Sequence, residues 1–415
     1  MDRWLLLTGG GHVNFFPGLE TIIKGGRQGK VKILSSLDGW EGVQRKCDGI
    51  VDITDHPLDG LYELGGSFLG SSRKKPDLNK VEENIRRYGI DVVIAFGGDD
   101  TLGVANELFQ NAKIPVVGWP KTMDNDTQGS YATVGFIRAA EVASANTLEA
   151  IANAYTNKKI VLLPMFGRDA DWVVAAAADY GHADFVIPVE RRDISLSDVA
   201  KQIHSVYEEN KAMYGRPFAV VPVSEAASGL KGLEPYFERF NLGEKVEKDG
   251  YKNPKFEPEL VGLALRNALK DILSFEENRI ALKVLTYHLR DGKLPGLDEE
   301  FARKTAEECL RLIDSGNFGR VATVQDPEYS EYFPQDSATH INAHGKRLYV
   351  ASVPLEVASQ KRYLRDAESF FDYGKLRPTE RMTRYLRPLL GQKLRNPREF
   401  IVPFKTAVPA NVQLV

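Results

Sequence analysis

The chain alternates short apolar runs with amphipathic helical patterns, and this alternation constrains its fold more than any other feature. The pattern is typical of βαβ units, in which helices cover the faces of a mostly parallel sheet. The predicted strands share a short run of apolar side chains: Trp4–Thr8, Val31–Ser35, Val92–Phe96, Val116–Trp119, Ile160–Met165, Phe185–Pro188 and Phe218–Val223. The sequence therefore predicts an α/β protein with mostly parallel sheets.

Helices are predicted between these strands wherever apolar side chains recur with a period of about 3.6 residues. One helix is expected over Leu78–Tyr88 and another over Ser197–Tyr214, with Gly215 as its C-cap. A longer pattern over Val134–Tyr155 is expected to connect two lobes. The polar stretch Asn241–Pro258 is expected to leave the core, and residues after about 325 show no pattern that identifies an element.

Length and composition exclude several classes of protein. A chain of 415 residues exceeds what one hydrophobic core usually organises, so two domains are expected. The net charge of −3 lacks the basic excess of a general nucleic-acid binder. Two cysteines, Cys47 and Cys309, cannot form a disulfide framework or a structural zinc site. The amino terminus lacks signal-peptide features, and the longest apolar run, Trp172–Ala178, is too short to cross a membrane. We expect a cytoplasmic protein without a membrane partner.

Glycine-rich and acidic loops follow two of the predicted strands, at the edge where open α/β sheets bind ligands. Thr8–His12 contains glycines that would let backbone N–H groups approach an anion, although a tight turn also explains them. Gly97–Thr101 places two carboxylates at a helix start, where they could carry Mg²⁺ directly or through water. A doubly capped helix is the structural alternative for this second loop.

A third loop, Pro120–Asp126, combines two carboxylates with a cation and a hydroxyl. Asp124 and Asp126 are two residues apart, so in an extended loop both would point to one side, beside Lys121 and Thr122. A reacting hydroxyl needs a nearby base and a polyphosphate needs cations, and this loop offers both. An Asx turn would explain one carboxylate but not the whole set.

Three arginines are predicted in loops near these motifs. Arg73 ends the glycine-spaced stretch from residue 65, Arg168 follows the strand Ile160–Met165, and Arg290 follows an apolar run. Each alone is commonly a surface ion pair, but the guanidinium group is well suited to oxyanions. Together with the acidic loops they indicate a substrate phosphate that faces a metal-bound phosphate donor.

In combination, these motifs resemble the phosphofructokinase family. TGGG…PGLE, DGWEG, GGSFLGSSR, GGDDT, PKTMDND, TVGF, FGRDADW, VSEA and YHLR occur in that family's order from residue 5 to about 319. The resemblance implies the phosphofructokinase fold, with two Rossmann-like three-layer lobes built on mostly parallel sheets. Residues 1–140, with part of 295–345, would form the lobe that binds the phosphate donor. Residues 141–294, with part of 346–415, would form the lobe that binds the sugar phosphate.

The resemblance also implies an activity, namely Mg²⁺-dependent phosphoryl transfer to the 1-hydroxyl of fructose 6-phosphate. Asp124 would be the catalytic base, assisted by Arg73 and Lys121. Asp99 would hold Mg²⁺, and Asp126 would orient the sugar or the metal. The implied donor-binding residues are Gly10, Gly11, Asp99, Asp100 and Lys121. The implied residues around the sugar phosphate are Thr122, Asp124, Asp126, Lys159, Phe166, Gly167, Arg168, Glu225, Tyr287 and Arg290.

One implied contact crosses between subunits. Lys159 stands upstream of Phe166, where the family places a basic residue that reaches a neighbouring subunit's site. The resemblance therefore implies a homodimer or homotetramer with shared active sites.

Two positions tend to separate the donors that family members use. ATP users resemble GGDG and PGT, whereas pyrophosphate users resemble GGDD and PKT, so Asp100 and Lys121 favour pyrophosphate. Two like charges about 4 Å apart repel by about 4 kcal/mol at an effective dielectric constant of about 20, so Asp100 would oppose the α-phosphate of ATP. We expect a reversible, pyrophosphate-dependent reaction of glycolysis and gluconeogenesis.

Two alternatives stay open from the sequence. Phe166 and Asp171 depart from the family's pattern, which motivates an ATP-dependent 6-phosphofructokinase or a kinase for another sugar or polyol phosphate. A catalytically inactive sugar-phosphate sensor is the second alternative. Asp124 argues against the sensor, because a sensor needs the arginines but not a catalytic base.

Overall fold

The computed structural model describes residues 2–10, 13–58, 60–72, 74–191, 193–239, 257–274, 279–332, 339–366 and 369–401. The strands are β1 (Arg3–Thr8), β2 (Lys32–Ser36), β3 (Ile50–Asp52), β4 (Val92–Gly97), β5 (Val116–Pro120), β6 (Ile160–Met165), β7 (Ala219–Ser224), β8 (Ile280–Leu282), β9 (Arg320–Gln325), β10 (His340–Ala343), β11 (Lys346–Pro354), β12 (Phe371–Asp372) and β13 (Arg377–Pro378). The helices are α1 (Phe16–Gln28), α2 (Gly39–Val43), α3 (Leu61–Leu64), α4 (Leu78–Arg87), α5 (Asp99–Ala112), α6 (Phe136–Asn157), α7 (Trp172–Tyr180), α8 (Leu196–Tyr214), α9 (Glu234–Arg239), α10 (Pro258–Leu273), α11 (Gly296–Asp314), α12 (Leu355–Ala358) and α13 (Glu380–Leu390). Short 3-10 turns cover Ala227–Gly229, Tyr287–Leu289, Leu364–Asp366 and Pro397–Phe400.

The larger sheet has eight strands in the order β10-β11-β9-β5-β4-β1-β2-β3. Its central strands, from β2 to β9, run parallel, whereas β3, β11 and β10 are added antiparallel at the two edges. Side chains alternate between the faces, so one face packs against α1 and α11 and the other against α4 and α5. Thr8 of β1 lies opposite Phe96 of β4, so the loops that follow these strands lie side by side.

The smaller sheet has three parallel strands in the order β7-β6-β8. One face packs against α8 and α10. The other face packs against α6 and α7, whose apolar residues belong to the same buried cluster as those of α1 and α11. The two sheets are therefore joined by one continuous apolar core, and the predicted α/β class is confirmed.

The predicted strands are confirmed with ends that move by at most one residue, apart from Phe185–Pro188. That segment touches the smaller sheet through one bridge, between Ile187 and Val223. The N–H group of Val186 donates instead to the carbonyl of Leu376, at 2.9 Å. The prediction of a strand was wrong here because the segment divides its backbone hydrogen bonds between two neighbours.

Helix ends follow the glycines. Gly215 has a φ of +75° and caps α8 as predicted. Gly135 has a φ of +100°, so α6 begins at Phe136 rather than at the predicted Val134. Most of the predicted polar excursion, residues 241–256, lies outside the described residues.

The chain after residue 325, in which the sequence identified no element, contributes strands and helices to the fold. β11 pairs with β9, so residues 346–354 lie in the larger sheet, whereas the sequence groups them with the second lobe. The division of the chain into a donor lobe and a sugar lobe stays a prediction. Within the described ranges, no helix is both long and apolar enough to cross a membrane.

Candidate active site

The carboxyl ends of β1, β4 and β5 in the larger sheet and of β6 and β7 in the smaller sheet face a common cleft. The described residues that line this cleft are Gly10, Trp40, Ser72, Gly98, Asp99, Asp100, Thr101, Thr122, Met123, Asp124, Phe166, Arg168, Glu225 and Arg290. Most of the predicted donor and sugar residues are therefore brought together. Gly11 and Arg73, which were also predicted, lie outside the described residues.

Two glycines allow the loops after β1 and β4 to lie tightly against the first turn of α5. The N–H group of Gly9 donates to the carbonyl of Phe96 at 2.7 Å. A Cβ atom on Gly9 would lie 1.6 Å from Oγ1 of Thr101, and one on Gly97 would lie 2.4 Å from the same atom. A Cβ atom at either position would displace the side chain of Thr101, so this close approach of the two loops to α5 requires glycine.

The acidic pair lies inside the first turn of α5, and the N-cap position is occupied by Gly98. The doubly capped helix is therefore not what the structure shows. Oδ2 of Asp100 lies 3.2 Å from Nη1 of Arg168, so an ion pair joins the two sides of the cleft. Burial, and then the neighbouring Asp99, raise the pKa of Asp100, and Arg168 opposes this shift.

The loop after β5 is fixed by Asn125, which has a φ of +55°. Its Nδ2 donates to the hydroxyl of Tyr385 at 2.9 Å, and its Oδ1 accepts from the N–H group of Thr133 at 3.1 Å. Next to it, the N–H group of Asp124 donates to Oγ1 of Thr122 at 3.1 Å. These bonds hold Asp124 at the cleft wall in a rigid backbone, as a general base requires.

The structure separates the two carboxylates of this loop, which the sequence placed on one side. Asp124 lines the cleft, whereas Asp126 is only 3% exposed. Within the described part of the chain, Oδ1 of Asp126 has no hydrogen-bond partner. Burial raises the pKa of both groups, and Asp99 and Asp124 raise that of Asp126 further, well above its ordinary value. A contact between Asp126 and the sugar stays a prediction.

Lys121 lies under the glycine loop, behind the residues that line the cleft. Its Nζ is 3.1 Å from the carbonyl oxygen of Gly9 and 3.5 Å from that of Gly10. Burial, with a smaller contribution from the charge of Arg290, lowers the pKa of Lys121 to about 7. In this position the ammonium supports the backbone of the loop, and its predicted contact with the donor stays a prediction.

On the opposite wall, Glu225 holds the loop that follows β6. Its Oε2 accepts hydrogen bonds from the N–H groups of Gly167, at 3.2 Å, and Arg168, at 3.0 Å. Arg168 has a φ of +50°, a strained conformation that these bonds stabilise. The pKa of Arg168, which burial alone would lower, is raised by the carboxylates that face it. Glu225 therefore aims a permanently charged guanidinium across the cleft.

Arg290 is held by two aromatic rings. Its guanidinium carbon lies 4.6 Å from the ring centroid of Phe166 and 4.7 Å from that of Tyr287, and the two rings meet edge to face. Arg290 is 7% exposed, whereas Tyr287 is 58% exposed. Cation–π contacts with two rings restrict the position of the guanidinium, a group well suited to phosphate oxygens. Phe166 thus acts through Arg290, an arrangement that the sequence did not reveal.

Lys159 is not brought to this cleft. It precedes β6, and its carbonyl accepts from the N–H group of Ala219 at the start of β7. Phe166 follows the same strand at its other end, so the length of β6 separates the two residues. The predicted role of Lys159 in a neighbouring subunit's site stays a prediction.

The sequence missed one cation. Nζ of Lys361 lies 2.6 Å from Oδ2 of Asp169 and 3.6 Å from Oδ2 of Asp99. Burial alone would lower the pKa of Lys361, but these two carboxylates raise it, so the ammonium is charged. No motif marks this position, because the contact is made by a segment far along the chain.

The side chains of the cleft provide only some of the ligands that Mg²⁺ requires. Within the described ranges, no group of three or more histidine, cysteine or acidic side chains is placed to hold a metal ion. Mg²⁺ usually keeps several waters and takes one or two carboxylates together with substrate phosphates. The cleft-lining carboxylates Asp99 and Asp100 suit such shared ligation and do not form a complete protein cage.

A carboxylate at the cleft wall, an acidic pair at a helix start and opposing arginines are the groups that a phosphoryl-transfer site requires. A sequence model of the family described as phosphofructokinase matches residues 6–313, so the chain belongs to the phosphofructokinase family.

Relatives with both kinds of donor in their names are similar to this chain. The pyrophosphate–fructose 6-phosphate 1-phosphotransferase of Thermoproteus tenax is 31% identical over 323 residues, which cover 76% of this chain and 86% of that protein. A protein of the same name from Dictyoglomus thermophilum is 27% identical over 347 residues, covering 78% and 89%. The ATP-dependent 6-phosphofructokinase of Corynebacterium efficiens is 32% identical over 334 residues, covering 78% and 90%.

Solved structures agree with the fold. The crystal structure of a pyrophosphate-dependent phosphofructokinase from Marinobacter aquaeolei matches with a TM-score of 0.72 at 20% identity, covering 100% of this chain and 97% of that one. A pyrophosphate-dependent phosphofructokinase from Nitrosospira multiformis matches with a TM-score of 0.69 at 19% identity, covering 99% and 95%. The predicted phosphofructokinase fold is confirmed.

Proposed function

We propose that the protein transfers a phosphoryl group from inorganic pyrophosphate to the 1-hydroxyl of fructose 6-phosphate, giving fructose 1,6-bisphosphate and phosphate. The observation that carries this proposal is the position of Asp100, whose carboxylate lines the cleft and reaches Arg168 at 3.2 Å. A carboxylate there opposes a donor that extends past the transferred and the leaving phosphate. The names of the relatives in Thermoproteus and Dictyoglomus support the same reaction.

Asp124 accepts the proton of the sugar hydroxyl. Burial raises its pKa, and a carboxylate whose pKa is closer to the working pH is a stronger base than an ordinary one. Arg168 and Arg290 face the same cleft, and their charges oppose this rise in the pKa of Asp124. The deprotonated hydroxyl oxygen then attacks the nearer phosphorus of the donor in line with the leaving phosphate.

The arginines bind phosphate oxygens. Glu225 orients the loop of Arg168, which lies between the two sides of the cleft. Arg168 is therefore suited to bind the phosphoryl group during its transfer. Arg290, stacked between Phe166 and Tyr287, suits the phosphate of the sugar. Hydrogen-bond donors that are already fixed and oriented need little reorganisation when negative charge develops in the transition state.

Asp99, together with Asp100, would hold Mg²⁺ jointly with the oxygens of pyrophosphate. Bound there, the ion supplies charge neutralisation to a highly charged donor. Gly10 lines the cleft and has no side chain, so phosphate oxygens could approach its backbone closely, as phosphate-binding loops require. Because pyrophosphate and the sugar bisphosphate are comparable donors, the reaction runs in both directions.

The working protein is a homodimer or homotetramer in this proposal. Lys159 lies away from the cleft of its own chain, at the far end of β6. From there its side chain would serve the site of a neighbouring subunit, so each site would be completed by a partner copy. The protein would act in the cytoplasm.

A donor assay tests the proposal. Purified protein is incubated with fructose 6-phosphate, Mg²⁺ and either pyrophosphate or ATP, and fructose 1,6-bisphosphate is measured with coupling enzymes. The Asp124→Asn variant, purified in the same way, reports any contaminating kinase. We expect a higher kcat/KM with pyrophosphate, and formation of pyrophosphate from the bisphosphate and phosphate. Faster turnover with ATP would refute the donor assignment.

The second candidate is an ATP-dependent 6-phosphofructokinase. The relative in Corynebacterium, whose name specifies ATP, is as similar to this chain as the pyrophosphate-named relatives are. The same assay decides between the two donors. A panel of sugar and polyol phosphates decides whether Phe166, which replaces the methionine typical of the family, has altered the acceptor.

A further inference from the structure

Lys361 reaches the cleft from the C-terminal part of the chain, on a segment that pairs with the catalytic loop. Lys361 and Thr127 form an antiparallel β-bridge. On either side, the N–H group of Gln128 donates to the carbonyl of Gln360 at 3.1 Å, and that of Arg362 donates to the carbonyl of Asp126 at 2.7 Å. This backbone ladder fixes the register of the segment to the single residue.

The side chain of Lys361 points into the acidic side of the cleft. It is 19% exposed, and its ammonium lies between Asp169 at 2.6 Å and Asp99 at 3.6 Å. Asp99 lines the cleft beside Asp100. A cation 3.6 Å from Asp99 is close enough to contact a donor phosphate that binds beside this carboxylate.

Lys361 is not needed to fasten its own segment. The backbone ladder does this, and so does the neighbouring Arg362, whose guanidinium donates to the carbonyl of Ser130 and to the hydroxyl of Tyr385 and lies 4.1 Å from the ring centroid of Trp172. A lysine that only anchored the segment would not need to extend its side chain toward Asp99.

We propose that Lys361 is a donor-phosphate ligand, whose ammonium moves from Asp99 to the oxygens of the phosphoryl donor when the donor and its metal ion arrive. This inference rests on the proposed function, because it assumes a phosphate donor at Asp99. An incoming divalent cation repels the ammonium from Asp99, while the donor brings new anionic oxygens within its reach.

Two variants with opposite effects test the proposal. Lys361→Met keeps the length of the side chain but removes its charge, and a charge-assisted hydrogen bond to phosphate then disappears. We expect the KM for the donor and the calorimetric Kd for pyrophosphate with Mg²⁺ to rise about 10- to 100-fold, with little change in the KM for the sugar phosphate. Asp169→Asn frees the ammonium, so donor binding should stay equal or become tighter.

Lys346→Met is the matched control. Lys346 also contacts two carboxylates, Asp326 at 2.6 Å and Glu328 at 3.0 Å, in the C-terminal part of the chain but away from the residues that line the cleft. We expect it to change the melting temperature without changing the Kd for pyrophosphate.

Three results would overturn the inference. The first is a Kd for pyrophosphate in Lys361→Met within twofold of wild type. The second is tighter binding in that variant, which would make the lysine a mere competitor of the metal ion. The third is equal weakening by Lys361→Met and Asp169→Asn, the pattern of a structural ion pair. If wild type prefers ATP, the proposed function fails, and the same comparison made with ATP still decides the role of Lys361.

Discussion

Removing the charge of Asp100 should shift donor choice toward ATP. The carboxylate lies at the start of α5, 3.2 Å from Nη1 of Arg168, and its side chain is 27% exposed. A second negative charge about 4 Å away would be repelled by about 4 kcal/mol at an effective dielectric constant of about 20. Arg168 cancels part of this field and solvent screens another part, so we expect about 2 kcal/mol, or about 30-fold in the ratio of kcat/KM values.

Two substitutions separate charge from volume. Asp100→Asn keeps the size of the side chain and removes its charge, so the ratio of kcat/KM for ATP to that for pyrophosphate should rise about 30-fold. Asp100→Gly also removes the bulk and should raise the ratio further. Both variants remove the ion pair between Asp100 and Arg168, so pyrophosphate turnover is measured beside ATP turnover in each to correct for a general loss of activity.

Tripolyphosphate provides the decisive control in this assay. It has the third phosphate of ATP but no nucleoside, so the electrostatic argument predicts that Asp100→Asn improves its use as much as that of ATP. A ratio unchanged within about threefold in Asp100→Asn would refute the charge argument. A gain for ATP without a gain for tripolyphosphate would show that the barrier concerns the nucleoside instead.

Three further changes have expected outcomes of their own. Asp124→Asn should lower kcat by about 10² to 10⁴ in both directions with a small change in the KM for the sugar, and a kcat within tenfold of wild type would remove Asp124 from the role of base. Burial and the charge of Glu190 raise the pKa of Asp171 from 3.8 to about 7. The folded protein therefore keeps a proton that the unfolded chain releases, and the free energy of unfolding falls as the pH rises from about 4 to 7. Asp171→Asn should remove a slope of up to about 1.4 kcal/mol per pH unit in urea unfolding, and parallel curves for the variant and wild type would contradict this. Arg398→Met should cost about 3–5 kcal/mol of stability, because the buried carboxylate of Asp184, now 2.8 Å from the guanidinium, would lose this ion pair and keep its hydrogen bonds from Asn210 and Val220. A second change, Asp184→Asn in the Arg398→Met protein, should recover part of that loss in the same unfolding experiment, and an equal or larger loss would argue against the charge explanation.

The central part of the fold was predictable because its strands are buried on both faces. Strands such as Val92–Gly97 and Ile160–Met165 are buried along their whole length, so they read as continuous apolar runs. The edge strands were not predictable in the same way. His340–Ala343 alternates exposed and buried residues over only four positions, a pattern too short to distinguish from an irregular loop.

In the site, loop composition predicted which residues would meet but not how they would be oriented. The prediction that Asp124 and Asp126 share one side assumed an extended backbone with a period of two residues. Asn125 between them adopts a φ of +55°, which breaks that period and buries Asp126. Asparagine tolerates this conformation better than most residues, but its type alone does not predict it, and the partner that holds Asn125, Tyr385 of α13, lies far along the chain.

Lys361 makes contacts that local sequence patterns could not predict. It meets Asp169, 192 positions away in the chain, because its segment pairs with the loop of Asp126 in a fixed register. The pairs of Arg168 with Asp100, and of Lys361 with Asp99 and with Asp169, are ion pairs of the same kind. Each places a cation beside a carboxylate that phosphate oxygens can replace. In the proposed reaction, phosphate oxygens replace these carboxylates as partners of the cations, so the cleft holds oriented positive charges before either substrate binds.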